Sequence, residues 1–423
     1  GVDKKYRYLP LYSVSGLWRI SQEPFMASAK WIDNLVVRAS YGLQGNIDKN
    51  TSPFLLGNYR IENILPGGSE DMIDVSGAPN KKLRWEKTHS VNAGFDFAVL
   101  NQAINLSVDY YYRKGVDLIG TQMLPLETGF EMLTVNWASM RNQGVEVALS
   151  TRNVHTKNFM WTTNFNFAYN NNKVLKEALR EDALEPGREG YPAGALFALK
   201  TAGLDEEGYP MFQDKDGKAV SAMEFFKLQE WGFGATDLTA RERRELYTYV
   251  GTADCPYTGG FNNTFTYKAF ELGVNFSFDF GGKVRSQPTY SIVDFDKGRN
   301  TNRDILNRWT PENTETIFPV LLSQNERLDE YMWYSNQNEI YRNLDIWIRD
   351  LNYVRLQNIR LGYTLPTNFS RTLGMTSATV AIEGRNLLVF GSSYKNYLDP
   401  ETMSNAYATP APKSVTLSLN LIF

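Results

Sequence analysis

Cysteine is almost missing from the 423 residues, and histidine nearly so. The single thiol, Cys255, excludes an intramolecular disulfide framework and a cysteine-only zinc site. Two histidines, His89 and His155, leave little for a histidine-based metal centre. No stretch approaches the roughly 20 apolar residues that a spanning helix needs. An excess of basic charge is missing too: the net charge is −3, unlike the basic face of a nucleic-acid protein. Catalytic motifs are absent, with no Gly-x-Ser-x-Gly elbow, Walker loop or His-Glu-x-x-His pair. Phe280-Gly281-Gly282-Lys283 has the wrong spacing for a phosphate loop, and Gly232-x-Gly234 lacks a third glycine. Neither an enzyme nor a cofactor is expected. The opening residues Gly1-Val2-Asp3-Lys4-Lys5 carry no charged-then-apolar export signal, so either the protein is not exported or its beginning lies elsewhere.

What is present is aromatic and alternating. Aromatic residues make up 13 % of the chain, beside many Asn and Gly, a mix that suits β-structure with long loops. Over 88–100, Val91, Ala93, Phe95, Phe97 and Val99 share one face and Asn92, Gly94, Asp96 and Ala98 the other. The same period of two runs through 103–113, 159–170, 270–281 and 414–423, with shorter copies at 12–20, 33–44, 143–152, 258–267 and 377–389. Segment 351–365 begins in one phase and ends in the other, which predicts a β-bulge near Asn358. The sum is about eleven strands.

Alternation alone fits a soluble sandwich, apolar face inward, or a membrane barrel, apolar face outward. The connections separate them. Tight links at Asn101-Gln102, Asn153 to Asn158 and Lys268-Ala269 alternate with long ones at 45–84, 114–141, 172–257, 282–347 and 390–412. Moderate links at 22–32 and 366–376 fall on the short side. Structureless loops beyond about 12–15 residues are uncommon in compact soluble domains. Outer-membrane barrels have tight periplasmic turns and long extracellular loops. Trp18, Trp85, Tyr110, Tyr112, Trp161, Tyr169 and Tyr363 near strand ends fit interfacial girdles. The expectation is an all-β, transmembrane, antiparallel up-and-down barrel. Bacterial single-chain barrels have even strand numbers, and open edges are not tolerated in lipid. Eleven strands therefore imply partner strands from outside this sequence, upstream of it.

Several stretches carry a family resemblance: LWRISQEPFM at 17–26, WIDNLVVRASYGLQGN at 31–46, and RWEKTHSVNAGFDFAVLNQAINLSVDYYYRKGVDLI at 84–119. Others are NWASMRNQGVEVALST at 136–151, ILNRWTPENTETIFP at 305–319, DLNYVRLQNIRLGYTLP at 350–366, RNLL at 385–388 and DPE at 399–401. Together these resemble the SusC/RagA family of TonB-dependent transporters of Bacteroidetes, over nearly the whole chain. The resemblance implies that residues 1–423 are the C-terminal half of a larger barrel, 22-stranded in this expectation. The plug, TonB box and other N-terminal parts have no counterpart here. It implies location in the Gram-negative outer membrane and active import of oligosaccharides or oligopeptides. It also implies a SusD-like surface lipoprotein as lid and the TonB complex, acting on the plug, as energy source. A passive porin or adhesin-like barrel, and a soluble all-β carbohydrate-binding protein, remain as alternatives.

The candidate substrate contacts are loop aromatics able to stack on sugars or hold peptide backbone: Trp231, Tyr257, Trp309, Tyr331, Trp333 and Tyr334. Asp96, Asp109, Glu146, Asn164 and Asn166 are expected on a solvated inner wall. Gln213-Asp214-Lys215-Asp216-Gly217-Lys218 fails as an EF-hand, because Phe212 and Met223 would occupy ligand positions. It is read as a hairpin turn with Asp-Gly at its tip. Ser221-x-x-Glu224 and Thr239-x-x-Glu242 have capping-box form, with Gly232 expected to close the first helix, so the longest loop should be ordered. Phe423, ending an alternating strand, resembles the terminal aromatic read by the barrel-assembly machinery.

Overall fold

The computed structural model describes residues 1–49, 51–65, 68–227, 236–286, 298, 303–321, 343–372, 374–391, 399–402 and 408–423. Eleven strands form one antiparallel sheet. They are β1 (Tyr12–Arg19), β2 (Ile32–Asn46), β5 (Glu86–Val99), β6 (Ile104–Met123), β7 (Met132–His155), β8 (Phe159–Lys176), β14 (Tyr257–Tyr267), β15 (Phe270–Arg285), β16 (Ile348–Thr364), β17 (Ser377–Phe390) and β18 (Ser414–Ile422). The spatial order is the chain order, β1-β2-β5-β6-β7-β8-β14-β15-β16-β17-β18, so each strand pairs with the one before and after it. This is the meander expected from the alternating segments.

The tight links are where the sequence places them. Leu100, Asn101 and Gln102 turn the chain between β5 and β6 with three consecutive positive φ angles of 58°, 55° and 57°. Lys268, at φ 53°, does the same between β14 and β15. The bulge is also where the phase change puts it. The β16–β17 register shifts between Leu356 and Asn358, and the β15–β16 register shifts between Asn275 and Phe276. The extra residue, Gln357, donates its side-chain amide to Ser277 Oγ at 2.7 Å.

The long links are less empty than expected. Segment 114–141 is mostly ladder, because β6 continues to Met123 and β7 begins at Met132. A hairpin of β3 (Leu56–Leu65) and β4 (Gly68–Gly77) occupies 45–84. The segment between β8 and β14 folds into a small unit. It contains β9 (Ala195–Leu199), β10 (Thr201–Leu204), β11 (Pro210–Gln213), β12 (Ala219–Val220), α1 (Ala222–Phe225), α2 (Ala240–Glu245) and β13 (Tyr247–Thr252). Its apolar centre joins Leu199, Phe212, Val220, Phe225 and Phe226 to Leu344 and Trp347 from just before β16.

The faces of the main sheet are inverted relative to a soluble domain. On the outer face Ile382 is 49 % exposed, Leu419 63 % and Tyr110 44 %, each in mid-strand or near a strand end. The other face is polar, and a cavity of about 430 Å³ touches seven neighbouring strands, from Asn34 on β2 to Asn275 on β15. One cavity reaches that many strands only if the sheet curls around its polar side. Aromatic rings stack across strands on the apolar side, Trp161 on Phe265 at 5.5 Å and Tyr169 on Tyr257 at 5.2 Å. An apolar exterior around a wet interior is the arrangement of a membrane barrel.

A charge on the outer face should therefore cost far more than one on the inner face. Phe165→Arg, midway along β8, is expected to lose about 2–4 kcal/mol of folding free energy in a bilayer. Asn164→Arg, one residue away on the inner face, should lose less than about 1 kcal/mol. Urea unfolding in lipid vesicles, followed by heat-modifiable gel migration, separates the two.

Candidate functional site

The inner wall is built by register. Arg38 on β2, Gly94 on β5 and Asp109 on β6 stand directly opposite one another. Arg38 crosses the intervening strand to bond Asp109 on β6 and Asp96 on β5, and its Nη2 donates to Ser107 Oγ at 3.1 Å. Gly94 makes the crossing possible. A Cβ there would lie 2.2 Å from Asp109 Oδ1 and 2.7 Å from Val108 O. The groups are partly solvated, so the network contributes position rather than much stability. Asn164 and Asn166 on β8 share this wall, as does Glu146, which stands opposite Asp109. The five inner-wall residues read from the sequence thus lie on one polar surface.

At the loop end three contacts fasten the long segments to the strands. Arg84, before β5, pairs with Asp117 at 2.6 Å, and Lys87 reaches the same carboxylate at 3.0 Å. Asn136 on β7 accepts from the Arg84 N–H at 2.9 Å and donates to the carbonyls of Arg84 and Asp117. The second contact is on β16, where Arg355, only 2 % exposed, pairs with Asp399 and with Glu401 at 3.0 Å. The Tyr353 hydroxyl lies between the carboxylates of Asp279 and Glu401. The DPE stretch is thereby held against the barrel wall. Burial pushes the Asp399 carboxyl up, but the Arg355 guanidinium and the backbone N–H groups of Glu401 and Ala411 overcome it and leave Asp399 below the ordinary range.

The third contact is the small unit itself. Asp214 and Gly217 close the β11–β12 hairpin with a 3.0 Å backbone bond, Gly217 at φ 82°. This is the Asp-Gly turn expected from the sequence. Thr239 and Glu242 form a complete capping box at α2. Ser221 caps α1 through the Glu224 N–H. That helix ends at Phe225 with Phe226 as its cap, earlier than the expected closure at Gly232, which lies outside the described residues. Phe225 and Phe226 stop it by turning into the apolar centre against Phe212. Burial pushes the Asp345 carboxyl up, although the Thr201 N–H donates to it at 3.1 Å.

Of the six aromatic candidates, Tyr257 and Trp309 lie among the described residues. Tyr257 is the first residue of β14 rather than a loop residue, and its ring stacks on Tyr169 and Phe167 of the outer face. Trp309 packs its indole against Gly208, where a Cβ would come within 2.5 Å. Trp231, Tyr331, Trp333 and Tyr334 lie outside the described residues. Phe423 follows β18 and is 82 % exposed. Among the described residues no group of three or more His, Cys, Asp or Glu side chains could hold a metal. Sequence reading missed the Arg38–Gly94–Asp109 crossing and the Arg355 cluster. DPE was noticed, but nothing local announces its partner.

An apolar exterior, a polar wall and long fastened loops at one end define an outer-membrane type of β-barrel. Comparison with known proteins shows what the chain is similar to. The model for the TonB-dependent receptor-like β-barrel matches residues 3–195. The chain is 26 % identical to TonB-dependent receptor P3 of Formosa agariphila over 100 % of its own length and 42 % of that protein's. It is 25 % identical to TonB-dependent receptor SusC of Bacteroides thetaiotaomicron, over 96 % of this chain and 39 % of that one. The RagAB peptide importer in its closed-closed state superposes with a TM-score of 0.75 at 23 % identity, covering 99 % of this chain and 44 % of that one. The chain is thus similar to the β-barrel of TonB-dependent receptors, SusC among them, and shares the fold of the RagAB importer. It spans about two fifths of the curated relatives it matches.

The Arg355 cluster predicts an acid-sensitive loop. Asp399 titrates lower in the folded state than in the unfolded state, so its contribution is present above the ordinary carboxylate value near about 4 and lost as pH falls through the lowered one. Hydrogen exchange at 399–402 and 408–413, corrected for intrinsic rate, should stay protected from pH 7 to 5 and weaken below about 4. Arg355→Met, which strands a buried carboxylate at a cost of about 3–5 kcal/mol, should abolish that protection already at pH 7.

Proposed function

We propose that this chain is the C-terminal half of the barrel of a TonB-driven outer-membrane importer. The observation that carries the reading is the pair of unpaired edges. β1 and β18 do not pair with each other, every residue of both is exposed, and the outward face of each carries apolar side chains such as Val14, Trp18, Leu417 and Leu419. Hydrocarbon does not tolerate unpaired backbone N–H and C=O groups, so further strands must complete the ring. A ring of about twice this size, on the order of 22 strands, leaves a lumen wide enough to need a plug.

The cargo is an oligosaccharide or oligopeptide. A polar inner wall with asparagine, aspartate and a bridged arginine suits either, since both present hydroxyl or amide groups. A SusD-like lipoprotein sits over the loop end as a lid. Support comes from the ordered unit between β8 and β14, whose apolar centre fixes a surface rigid enough to receive a partner. The TonB complex supplies energy through a plug outside these residues. Phe423 serves the barrel-assembly machinery.

Uptake of fluorescent oligosaccharides and oligopeptides by intact cells tests the reading. Deleting the gene should abolish uptake of one of the two, and deleting the TonB protein should abolish the same uptake. Uptake that survives loss of TonB would mean a passive barrel.

A further inference from the structure

The strand registers place an unpredicted row of cations on the outer face. His89 on β5 stands opposite Lys114 on β6, Lys114 opposite Arg141 on β7, and Arg141 opposite Lys173 on β8. Four neighbouring strands thus contribute one basic side chain each at a single level, about 4.8 Å from strand to strand. Their facing follows from the alternation. Lys114 continues the series Val108, Tyr110, Tyr112, Arg141 the series Leu149, Val147, Val145, and Lys173 the series Phe165, Phe167, Tyr169, all of the apolar side.

Height matters as much as facing. On β8 the apolar band runs from Trp161 to Tyr169, and Lys173 lies four residues beyond, toward the long loops. Tyr110 and Tyr112 lie below Lys114 on β6 in the same way. The row sits immediately above the upper aromatic girdle, at the depth of the outer leaflet's headgroups.

Like charges directly opposite across strands repel, and here three permanent cations stand side by side. Yet among the described residues no carboxylate pairs with Lys114, Arg141 or Lys173, although other basic side chains at this end, Arg84 and Lys87, are paired. The Arg141 Nε is buried without any hydrogen-bond partner. A buried, unsatisfied guanidinium nitrogen is costly unless a ligand completes it. His89 is engaged with the Tyr41 hydroxyl at 2.9 Å and closes the row at one side.

We propose that Lys114, Arg141 and Lys173 form a binding site for the phosphate groups of a phosphorylated glycolipid in the outer leaflet. Arg141 supplies the directed N–H groups, and the two lysines flank it as point charges. The acyl chains then lie along the apolar side below, over Tyr112, Val145 and Phe167. This rests on the outer face meeting lipid and is independent of what the barrel transports.

The test uses the full-length protein in mild detergent. Its affinity for bisphosphorylated lipid A, for enzymatically dephosphorylated lipid A and for inorganic phosphate is read by native mass spectrometry and thermal shift. The expected result is tight binding of the phosphorylated lipid alone, weakened roughly a hundredfold in the triple variant Lys114→Gln, Arg141→Gln, Lys173→Gln. Heat-modifiable migration checks that the variant still folds, and single variants replace it if it does not. Equal binding of the dephosphorylated lipid, or an unchanged affinity in folded variants, would overturn the proposal. So would inorganic phosphate binding as tightly as the lipid, since the site would then take a soluble anion.

Discussion

The backbone hydrogen bond is the interaction on which everything else here depends. Inside hydrocarbon no water replaces a missing partner, so each N–H and C=O must find one within the sheet. An antiparallel meander with tight turns at one end satisfies that demand strand by strand. Once the ladder is fixed, the pleat leaves two faces and no further choice. Apolar side chains at every second position go to the exterior, as Ile382 and Leu419 do, and polar ones go to the interior. The unpaired rows on β1 and β18 are the same demand left unanswered, and they are the chemical reason for proposing that this chain is part of a larger ring.

Register, once set, also determines which polar groups can meet. Arg38 reaches Asp109 only because the residue between them on β5 is Gly94. Lys114, Arg141 and Lys173 come level only because two strand pairs, β6–β7 and β7–β8, hold their phase over the upper half of the barrel. The loop end obeys different physics. There, buried polar contacts do the fastening: Asn136 clasps the Arg84 backbone, and Arg355 draws Asp399 and Glu401 inward. Several stretches that carried the family resemblance turn out to hold these fasteners, including Arg84 and Lys87, Asn136, Arg355 and the DPE triplet.

How much could be read in advance follows from that division. Strand positions, the tight turns at Asn101-Gln102 and Lys268-Ala269, and the bulge beside Asn358 are local, so period and phase expose them. The Asp-Gly turn at 214–217 and the Thr239 cap are local too. Extent was harder: β6 and β7 run on to Met123 and from Met132 because each supports the other beyond the membrane, where alternation fades. The functional surface was least legible. Tyr257 looked like a loop residue but completes an outer stack, and the Arg38 bridge and the cation row need a cross-strand register that one sequence does not state. Four of the six aromatic candidates, Trp231, Tyr331, Trp333 and Tyr334, fall outside the described residues.

The central claim is that the apolar face meets lipid and the polar face meets water. Its most direct measurement is collision accessibility of spin labels placed one at a time at 163–168 on β8, in a Cys255→Ser background reconstituted into vesicles. The account predicts strict alternation. Labels at Thr163, Phe165 and Phe167 should be accessible to oxygen dissolved in the bilayer, and those at Asn164, Asn166 and Ala168 to a water-soluble nickel chelate. The opposite phase, or nickel accessibility on both faces, would contradict it.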